Sequence, residues 1–270
     1  MATPMNRAAE RKSRTARTTV TGRLGALGRA ELTLLVRNRY ALFTALLMPA
    51  LMVAFMRTAL DGVGLGGSGL SVLEATLTGG IGMVLLLVVH LNLVSAYVAR
   101  REELVLKRLR TGEVTDPEIL VGTALPAVVA ALVQCVLLVV AGVGFLDVTA
   151  PRSPLLLLGG TLLGTVLMAA LAGVTAIVTR TVESAQLTTL PMFMISAVGS
   201  GLFVPLDVFP GGLASVCELL PLSGVVTLVR AGWVGGPDGR EVLTAALTAA
   251  VWTLLSVYVL RRWFRWEPRR

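Results

Sequence analysis

Long uninterrupted runs of apolar residues dominate the pattern along this chain. About 20 consecutive apolar residues form a helix long enough to cross a bilayer core of about 30 Å, and six segments reach that length. They cover residues 40–60, 77–98, 119–146, 155–179, 186–206 and 242–260. The pattern therefore predicts an all-α, polytopic membrane protein with six transmembrane helices in one domain, residues 23–265.

The regions outside these spans differ from one another. Residues 1–22 are rich in Arg, Thr and Ala and have no aromatic residue, which is typical of a disordered basic tail. The following LGALGRAELTLLVRNRYALF predicts an amphipathic helix on the inner membrane surface. Residues 266–270 form a second short tail. A cleaved signal peptide is not expected, because no short apolar core with a small-residue cleavage site precedes the first span.

The distribution of basic residues predicts the orientation. If both termini are cytoplasmic, 20 of the 24 Lys and Arg residues lie inside. The outside then keeps Arg57, Arg152, Arg230 and Arg240. An excess of Lys and Arg in cytoplasmic loops is the bias that decides membrane insertion, so we predict cytoplasmic termini.

Residues 207–236 are apolar enough to resemble a seventh span. That reading would place the basic C-terminal segment outside, and Glu218 and Arg230 would each cost about 2.5 to 3.5 kcal/mol at the bilayer centre. We instead predict an external re-entrant or interfacial helical hairpin between spans five and six, broken at Pro210-Gly211-Gly212 and at Pro221.

Composition changes this picture little. The chain is 55% hydrophobic and 15% charged, against roughly 25% charged in a soluble domain. A net charge of +8 could suit nucleic acid, but in a chain of apolar spans it indicates the inside excess of basic residues, so no nucleic-acid partner is expected. Cys135 and Cys217 lack the spacing of a metal site or disulfide framework. The preference for Arg over Lys suggests a high-GC bacterial source.

One strongly charged stretch interrupts the apolar pattern: AYVARREELVLKRLRTGEVTDPEIL, residues 96–120. Its five basic residues would together cost about 12 kcal/mol or more at the bilayer centre, so the stretch is cytoplasmic. A helix continuing from span two would place Arg100, Glu103, Lys107 and Arg110 on one face. Val105, Leu106 and Leu109 would form an apolar stripe opposite, and Thr111-Gly112 would end the helix. The stripe favours a surface that contacts protein, although the pattern also fits a solvated loop.

Several chemistries lack the residues they need. A phosphate-binding P-loop requires Gly before its Lys, and the only lysines, Lys12 and Lys107, follow Arg and Leu. The Glu102-Glu103 pair faintly resembles that of CAAX-type intramembrane proteases, but His90 is the single histidine and cannot complete a metal site. No catalytic, cofactor or metal residues are therefore predicted. Polar residues in spans usually face the interior of a bundle, which makes His90, Asn92 and Gln134 candidates for lining a lumen.

Three segments resemble the permease subunits of type-2 ABC exporters, a group that includes bacterial drug and antibiotic efflux permeases. RREELVLKRLR resembles the motif after span two, roughly R-R/E-E-G-T-L-K-R-L-R. LLVRNRYALFTALLMPALMVAF resembles the N-terminal helix and first span. LPMFMISAVGSGLFVPLDVFPGGLASVCELLPLSGVVTLVRAGWVG resembles span five and the external segment. The likeness extends from about residue 25 to residue 262.

The resemblance implies a subunit that hydrolyses nothing and works as a homodimer or pseudo-dimer with a separate cytoplasmic ATPase, which would bind ATP and Mg. It also implies that the charged stretch contacts that ATPase. The expected contact residues are Arg100, Arg101, Glu103, Val105, Leu106, Lys107, Leu109 and Arg110. Where the family usually has Gly-Thr, this chain has Leu104-Val105, from which we expect a stiffer helix.

The leading hypothesis is therefore a multi-pass permease of a bacterial plasma membrane, in contact with lipid, that exports a small molecule. The few polar groups in the spans favour an amphipathic or hydrophobic, drug-like or antibiotic-like cargo. The alternative is a non-transporting membrane scaffold or immunity protein that holds a cytoplasmic partner.

Overall fold

The computed structural model describes residues 72–104, 115–145, 148–202 and 209–264, together with the single positions 22, 25, 29, 33 and 51. Every regular element within these residues is helical, as predicted. In chain order they are α1 (Val72–Val84), a π-helix (Leu85–Leu91), α2 (Asn92–Glu102), α3 (Asp116–Phe145), α4 (Pro154–Val178), α5 (Val182–Gly199), α6 (Gly211–Glu218), α7 (Pro221–Val234) and α8 (Gly239–Trp263).

Four helical runs in the described residues are long and apolar enough to cross a membrane. They are Leu73–Glu102, Asp116–Gly144, Pro154–Val178 and Gly239–Trp263. These runs match predicted spans two, three, four and six to within a few residues. The helix of predicted span five, α5, is not among the four. Predicted span one and the N-terminal amphipathic helix lie outside the described residues, apart from the single positions, so the total of six stays a prediction.

Side-chain hydrogen bonds cap the starts of α3 and α8. The Glu118 carboxylate accepts from the Thr115 backbone N–H at 2.7 Å at the start of α3. Asp238 accepts from the Glu241 N–H at 2.8 Å at the start of α8. Each side chain satisfies an N–H group that the first helical turn leaves without an intrahelical partner.

Helix α7 lies at the centre of the described bundle, and most of its side chains are buried. It packs along α4 and α8. Close approach to α4 requires glycine: a Cβ at Gly232 would lie 2.5 Å from the Leu157 nitrogen, and one at Gly160 would lie 2.9 Å from the Leu228 Cβ. Small residues allow helix backbones to approach in this way inside membranes.

The predicted breaks around residues 207–236 agree with the helix starts. Helix α6 begins at Gly211 and α7 begins at Pro221, and the two are bent by 88°. With 14 residues, α7 is about 21 Å long, too short to cross a bilayer core of about 30 Å alone. It follows only the half of α4 that begins at Pro154, since Gly232 lies against Leu157 in the close contact above. Which side of the membrane this pair occupies stays a prediction.

The bundle has two ends, separated by the length of α4, about 37 Å. We call the end with Arg101 and Thr179 the Arg101 end, and the end with Arg152 and Val234 the Arg152 end. A small buried cluster around Val94, Tyr97 and Ala176 fills the Arg101 end. The larger core runs from the middle of the bundle to the Arg152 end.

Candidate functional site

The charged stretch begins where α2 stops, at the Arg101 end. Helix α2 ends at Glu102, and the Glu103 and Leu104 N–H groups close the last turn on the carbonyls of Ala99 and Arg101, at 2.9 and 3.1 Å. Leu104 then adopts a φ of 59°. The prediction of one helix from span two to Thr111-Gly112 is therefore wrong, because the chain leaves the helical conformation at residue 104.

Leu104 occupies a left-handed backbone conformation that favours glycine, since a Cβ is crowded there. This is the position at which the resembled motif has glycine. The expectation that Leu104-Val105 makes a stiffer helix is not met at Leu104, which lies beyond the end of α2 in a left-handed turn. Val105 lies outside the described residues.

Arg101 lies inside the bundle and is 1% exposed. Its guanidinium group donates from Nη1 to the Ala176 carbonyl at 2.9 Å. Nη2 donates to the carbonyls of Thr179 and Arg180 at 2.6 and 3.3 Å. These carbonyls belong to the last turn of α4 and the residues after it, which lack intrahelical N–H partners. Arg101 therefore joins the end of α2 to the end of α4.

Other contacts at this end involve the remaining helices. The Tyr97 hydroxyl donates to the Leu120 carbonyl of α3 at 3.1 Å. The Tyr97 ring meets the Phe264 ring, just after α8, edge to face at 6.2 Å. Because Arg101 follows Tyr97 by four residues, the two side chains lie on the same face of α2. That face contacts the ends of three other helices.

The next helix, α5, starts a few residues beyond the carbonyls that Arg101 binds. Thr181 and Ser184 cap it reciprocally: the Thr181 hydroxyl accepts from the Ser184 N–H at 3.2 Å, and the Ser184 hydroxyl oxygen accepts from the Thr181 N–H at 3.0 Å. Hydrogen bonds from its own backbone N–H and from the Thr181 side chain lower the pKa of Glu183. Glu183 is fully exposed beside the turn that holds Arg101.

The predicted contact residues do not share one surface. Glu103 is exposed and Arg100 is half-buried, whereas Arg101 points inward to α4. Arg101 could have been recognised as an inward residue, since it follows Val94 and Tyr97 by seven and four positions on the buried face of the helix. The other predicted contact residues, Val105, Leu106, Lys107, Leu109 and Arg110, lie outside the described residues.

The three residues predicted to line a lumen differ in exposure. His90 is fully buried in the π-helix, where its ring lies against the Met168 backbone and neither nitrogen makes a hydrogen bond of ordinary geometry. Gln134 is buried in α3, and Asn92 is exposed on α2. The structure therefore brings the three together on no common surface.

Comparison with known families gives one decisive result: the family model described as ABC-2 type transporter matches residues 23–233. This chain belongs to the ABC-2 type transporter family. A search of the curated proteins gives no match. As an ABC-2 membrane domain with several spanning helices, the chain is a permease component of a multi-pass transporter and is not the catalytic subunit. Membership also implies that an ATPase subunit is its partner.

Proposed function

We propose that this permease exports an amphipathic or hydrophobic small molecule, such as a drug or antibiotic, across a bacterial plasma membrane. A separate cytoplasmic ATPase subunit drives it by moving the stretch 100–110. In this proposal the Arg101 end and both chain termini are cytoplasmic, and α6 and α7 occupy the external half of the membrane. The few polar residues in the spans support a cargo of this kind.

The observation that carries the coupling proposal is the set of hydrogen bonds made by Arg101. A movement of the ATPase reaches the chain first at exposed residues such as Glu103. Two residues earlier, the Arg101 guanidinium is bound to three carbonyls at the end of α4. Because a planar guanidinium with several donors holds its acceptors in a fixed geometry, displacement of the α2 end is transmitted to α4 and to the turn before α5.

We further propose a homodimer in which cargo passes near the contact between the two copies. Residues that line such a path are exposed in a single copy. Of the three polar candidates, Asn92 meets this condition, whereas His90 and Gln134 are buried. Asn92 is therefore the residue we assign to the path, and the other two belong to the interior of each copy.

The test uses the permease and its ATPase subunit together in inverted membrane vesicles. Glu103→Ala with Lys107→Ala is expected to lower cargo-stimulated ATP hydrolysis and uptake of a fluorescent amphiphilic drug by about tenfold, since it removes two charged groups from the docking surface. Arg101→Lys keeps the positive charge but loses the planar donor group. We expect it to preserve ATPase binding and to reduce the amount of drug moved per ATP.

Glu183→Ala with Arg262→Ala is the matched control. It removes the same kinds of charge at the same end but outside stretch 100–110, and we expect no change in coupling. If the Glu103/Lys107 variant and this control show equal cargo-stimulated ATP hydrolysis and equal drug uptake, stretch 100–110 is not the docking surface. If the assembled complex binds its ATPase but moves no cargo in either direction, the chain is a scaffold, and the export proposal fails.

A further inference from the structure

A cavity of about 890 Å³ opens at the Arg152 end, between α7 and α8. Its mouth is formed by the loop before α4 and the first turn of α8, which contribute Arg152, Asp238, Arg240 and Glu241. From there its lining continues along α8 to Thr248, nine positions after the start of that helix. The cavity therefore extends about 14 Å along α8.

The corner between α6 and α7 forms the floor of this cavity and lies at the middle of the bundle. The Leu219 carbonyl at the corner accepts from the Trp252 indole Nε1 at 2.8 Å. Trp252 lies within one residue of the middle of the uncharged stretch 242–260 of α8. Since that stretch covers the apolar core of the bilayer, Glu218, which precedes Leu219, lies close to the depth of the bilayer centre.

The packing of α7 against α8 agrees with this depth. A Cβ at Gly224, three residues after α7 begins at Pro221, would lie 3.3 Å from the Ala249 nitrogen in the middle of α8. Helix α7 therefore begins near the middle of α8 and runs from there to the Arg152 end.

Glu218 lines the cavity and is exposed. Within the described part of the chain its carboxylate makes no hydrogen bond or ion pair. A carboxylate at this depth is costly in lipid, and ionisable side chains inside membrane proteins either pair with one another or face a water-filled cavity. The cavity supplies the second of these arrangements.

The charged groups around the cavity balance in sign. Three arginines stand against three carboxylates: Arg152, Arg230 and Arg240 against Glu218, Asp238 and Glu241. Among the described residues, none of these carboxylates forms an ion pair with any of these arginines. The set therefore selects neither an anion nor a cation. Because charged groups that do not pair with one another need solvation, it favours water.

Helix α8 presents two different faces at the same depth. Thr244 and Thr248 line the cavity, and their hydroxyls donate to the carbonyls one turn earlier, at 2.9 and 3.0 Å. A hydroxyl oxygen that donates in this way can still accept hydrogen bonds from water. The adjoining face carries Leu243 and Leu247, which are 58% and 56% exposed and lie outside the cavity lining.

We propose that this cavity is a water-filled vestibule that brings solvent from the Arg152 side to Glu218 at the middle of the membrane. It admits water and small hydrated solutes of either charge, because its own charges balance. A polar group that reaches the bilayer centre then has an aqueous route to the Arg152 side. The vestibule belongs to a single chain, so it stands or falls independently of the cargo and of the direction of transport.

The test measures how fast single cysteines react with sulfonatoethyl methanethiosulfonate, a membrane-impermeant thiol reagent, in the full chain in sealed liposomes. Alanine replaces Cys135 and Cys217 in every variant. Thr248→Cys faces the cavity, and Leu247→Cys, at the same depth, faces the bilayer. Since the thiolate is the reactive form and requires water, we expect Thr248→Cys to react about tenfold faster. Exposure in the isolated chain favours the opposite order, because Thr248 is half-buried.

Gly239→Cys marks the Arg152 side. Gly239 is exposed, and a Cβ there meets nothing within 4 Å. We expect the reagent to label Thr248→Cys only from the side on which it labels Gly239→Cys. If Thr248→Cys does not fold, Thr244→Cys with Leu243→Cys gives the same comparison one turn nearer the mouth.

A second measurement tests the position of Glu218. The rates of Thr248→Cys with the sulfonate reagent and with its trimethylammonium counterpart are compared, with and without Glu218→Gln. Loss of one negative charge from the floor is expected to raise the ratio of sulfonate rate to trimethylammonium rate by about threefold. Glu183→Gln removes the same charge at the Arg101 end, and we expect it to leave the ratio unchanged.

Any one of three results overturns the proposal. Equal rates at Thr248→Cys and Leu247→Cys would show that water does not distinguish the two faces of α8. Labelling of Thr248→Cys from the side opposite Gly239→Cys would show that water enters from the Arg101 end. An unchanged ratio in Glu218→Gln would show that Glu218 does not lie at the floor of the cavity.

Discussion

Arginine has opposite roles at the two ends of the bundle. At the Arg101 end, one guanidinium is buried, and its Nη1 and Nη2 groups donate to three backbone carbonyls. At the Arg152 end, Arg152 and Arg240 line an open cavity. The comparison teaches that an arginine near a helix end becomes buried where carbonyls without intrahelical donors lie within its reach, and stays exposed where its guanidinium group has no such acceptor.

The two ends also differ in how the helices are held together. Hydrogen bonds join α2 to α4 at the Arg101 end. At the Arg152 end, α7 packs closely against α4 at Gly160 and Gly232, and two backbone N–H groups just before α4, those of Arg152 and Ser153, donate to the carbonyls of Trp233 and Gly232. No side-chain donor is needed for either contact. The first kind of contact fails when a donor is removed, and the second fails when a methyl group is added. We therefore expect loss of a donor to destabilise the Arg101 end and an added methyl group to destabilise the Arg152 end.

The largest effect is expected from Arg101→Gln. Charge-assisted hydrogen bonds contribute about 1.5 to 3 kcal/mol each, and buried carbonyls left without donors add a further cost. We expect a loss of about 3 kcal/mol in the free energy of unfolding, measured as a lower Tm in detergent micelles. Arg180→Gln, on an exposed side chain of the same turn, is the control. Equal Tm values for the two variants would show that Arg101 does not hold α4.

A smaller loss is expected from Gly160→Ala. The new methyl group would lie 2.9 Å from the Leu228 Cβ and 3.3 Å from the Val229 nitrogen, so α7 must shift away. Overpacking of this kind costs about 2 kcal/mol. The neighbouring Gly159→Ala is the matched control, because a Cβ there meets nothing within 4 Å. If thermal melting ranks the two variants in the opposite order, α7 is not held by this contact.

Leu104→Gly is expected to stabilise the protein. Glycine removes the crowding of a Cβ at a φ of 59°, and Leu104 is 39% exposed, so little packing is lost. After the entropy that glycine gains in the unfolded chain is subtracted, we expect about 1 kcal/mol. Glu102→Gly, inside the end of α2, should have the opposite sign. A lower Tm for Leu104→Gly would refute the left-handed turn.

The smallest effect on stability is expected from the arginines of the cavity. Arg152→Gln with Arg240→Gln removes no hydrogen bond that the described chain makes, so the free energy of unfolding should change by less than about 0.5 kcal/mol. Melting curves recorded beside those of Arg101→Gln provide the measurement. If the free energy of unfolding falls as much as in Arg101→Gln, the arginines at both ends contribute to stability and the proposed difference between the ends is wrong.

Much of the helical framework could be predicted from the sequence. The apolar runs end at charged or helix-starting residues, so the bounds of α3, α4 and α8 agree with predicted spans three, four and six to within a few residues. Pro221 likewise marked the start of α7. These features depend on local composition and on backbone preferences, which the sequence records directly.

The direction of individual side chains could not be predicted as well. Arg101 was assigned to a surface because its charge excludes it from lipid, yet helix-end carbonyls 75 or more residues away supply an interior site for it. The prediction that the helix continues through Leu104 is wrong for a similar reason. The spacing of charged residues fits a continuous helix and gives no sign of the turn at Leu104. Cavity residues come from distant segments, and only the fold places Arg152 and Arg240 around one cavity.

The π-helix Leu85–Leu91 has a consequence for everything that follows it in its span. A π-turn contains more residues than an α-turn, so it changes the angular phase with which α2 leaves the middle of the membrane. If the same seven residues adopted ordinary α geometry, with none removed, α2 would rotate by about 100° and carry Arg101 away from Ala176 and Thr179. The direction of the Arg101 side chain therefore depends on the π-helix roughly three helical turns before it. The number of apolar residues in the span does not reveal that π-helix.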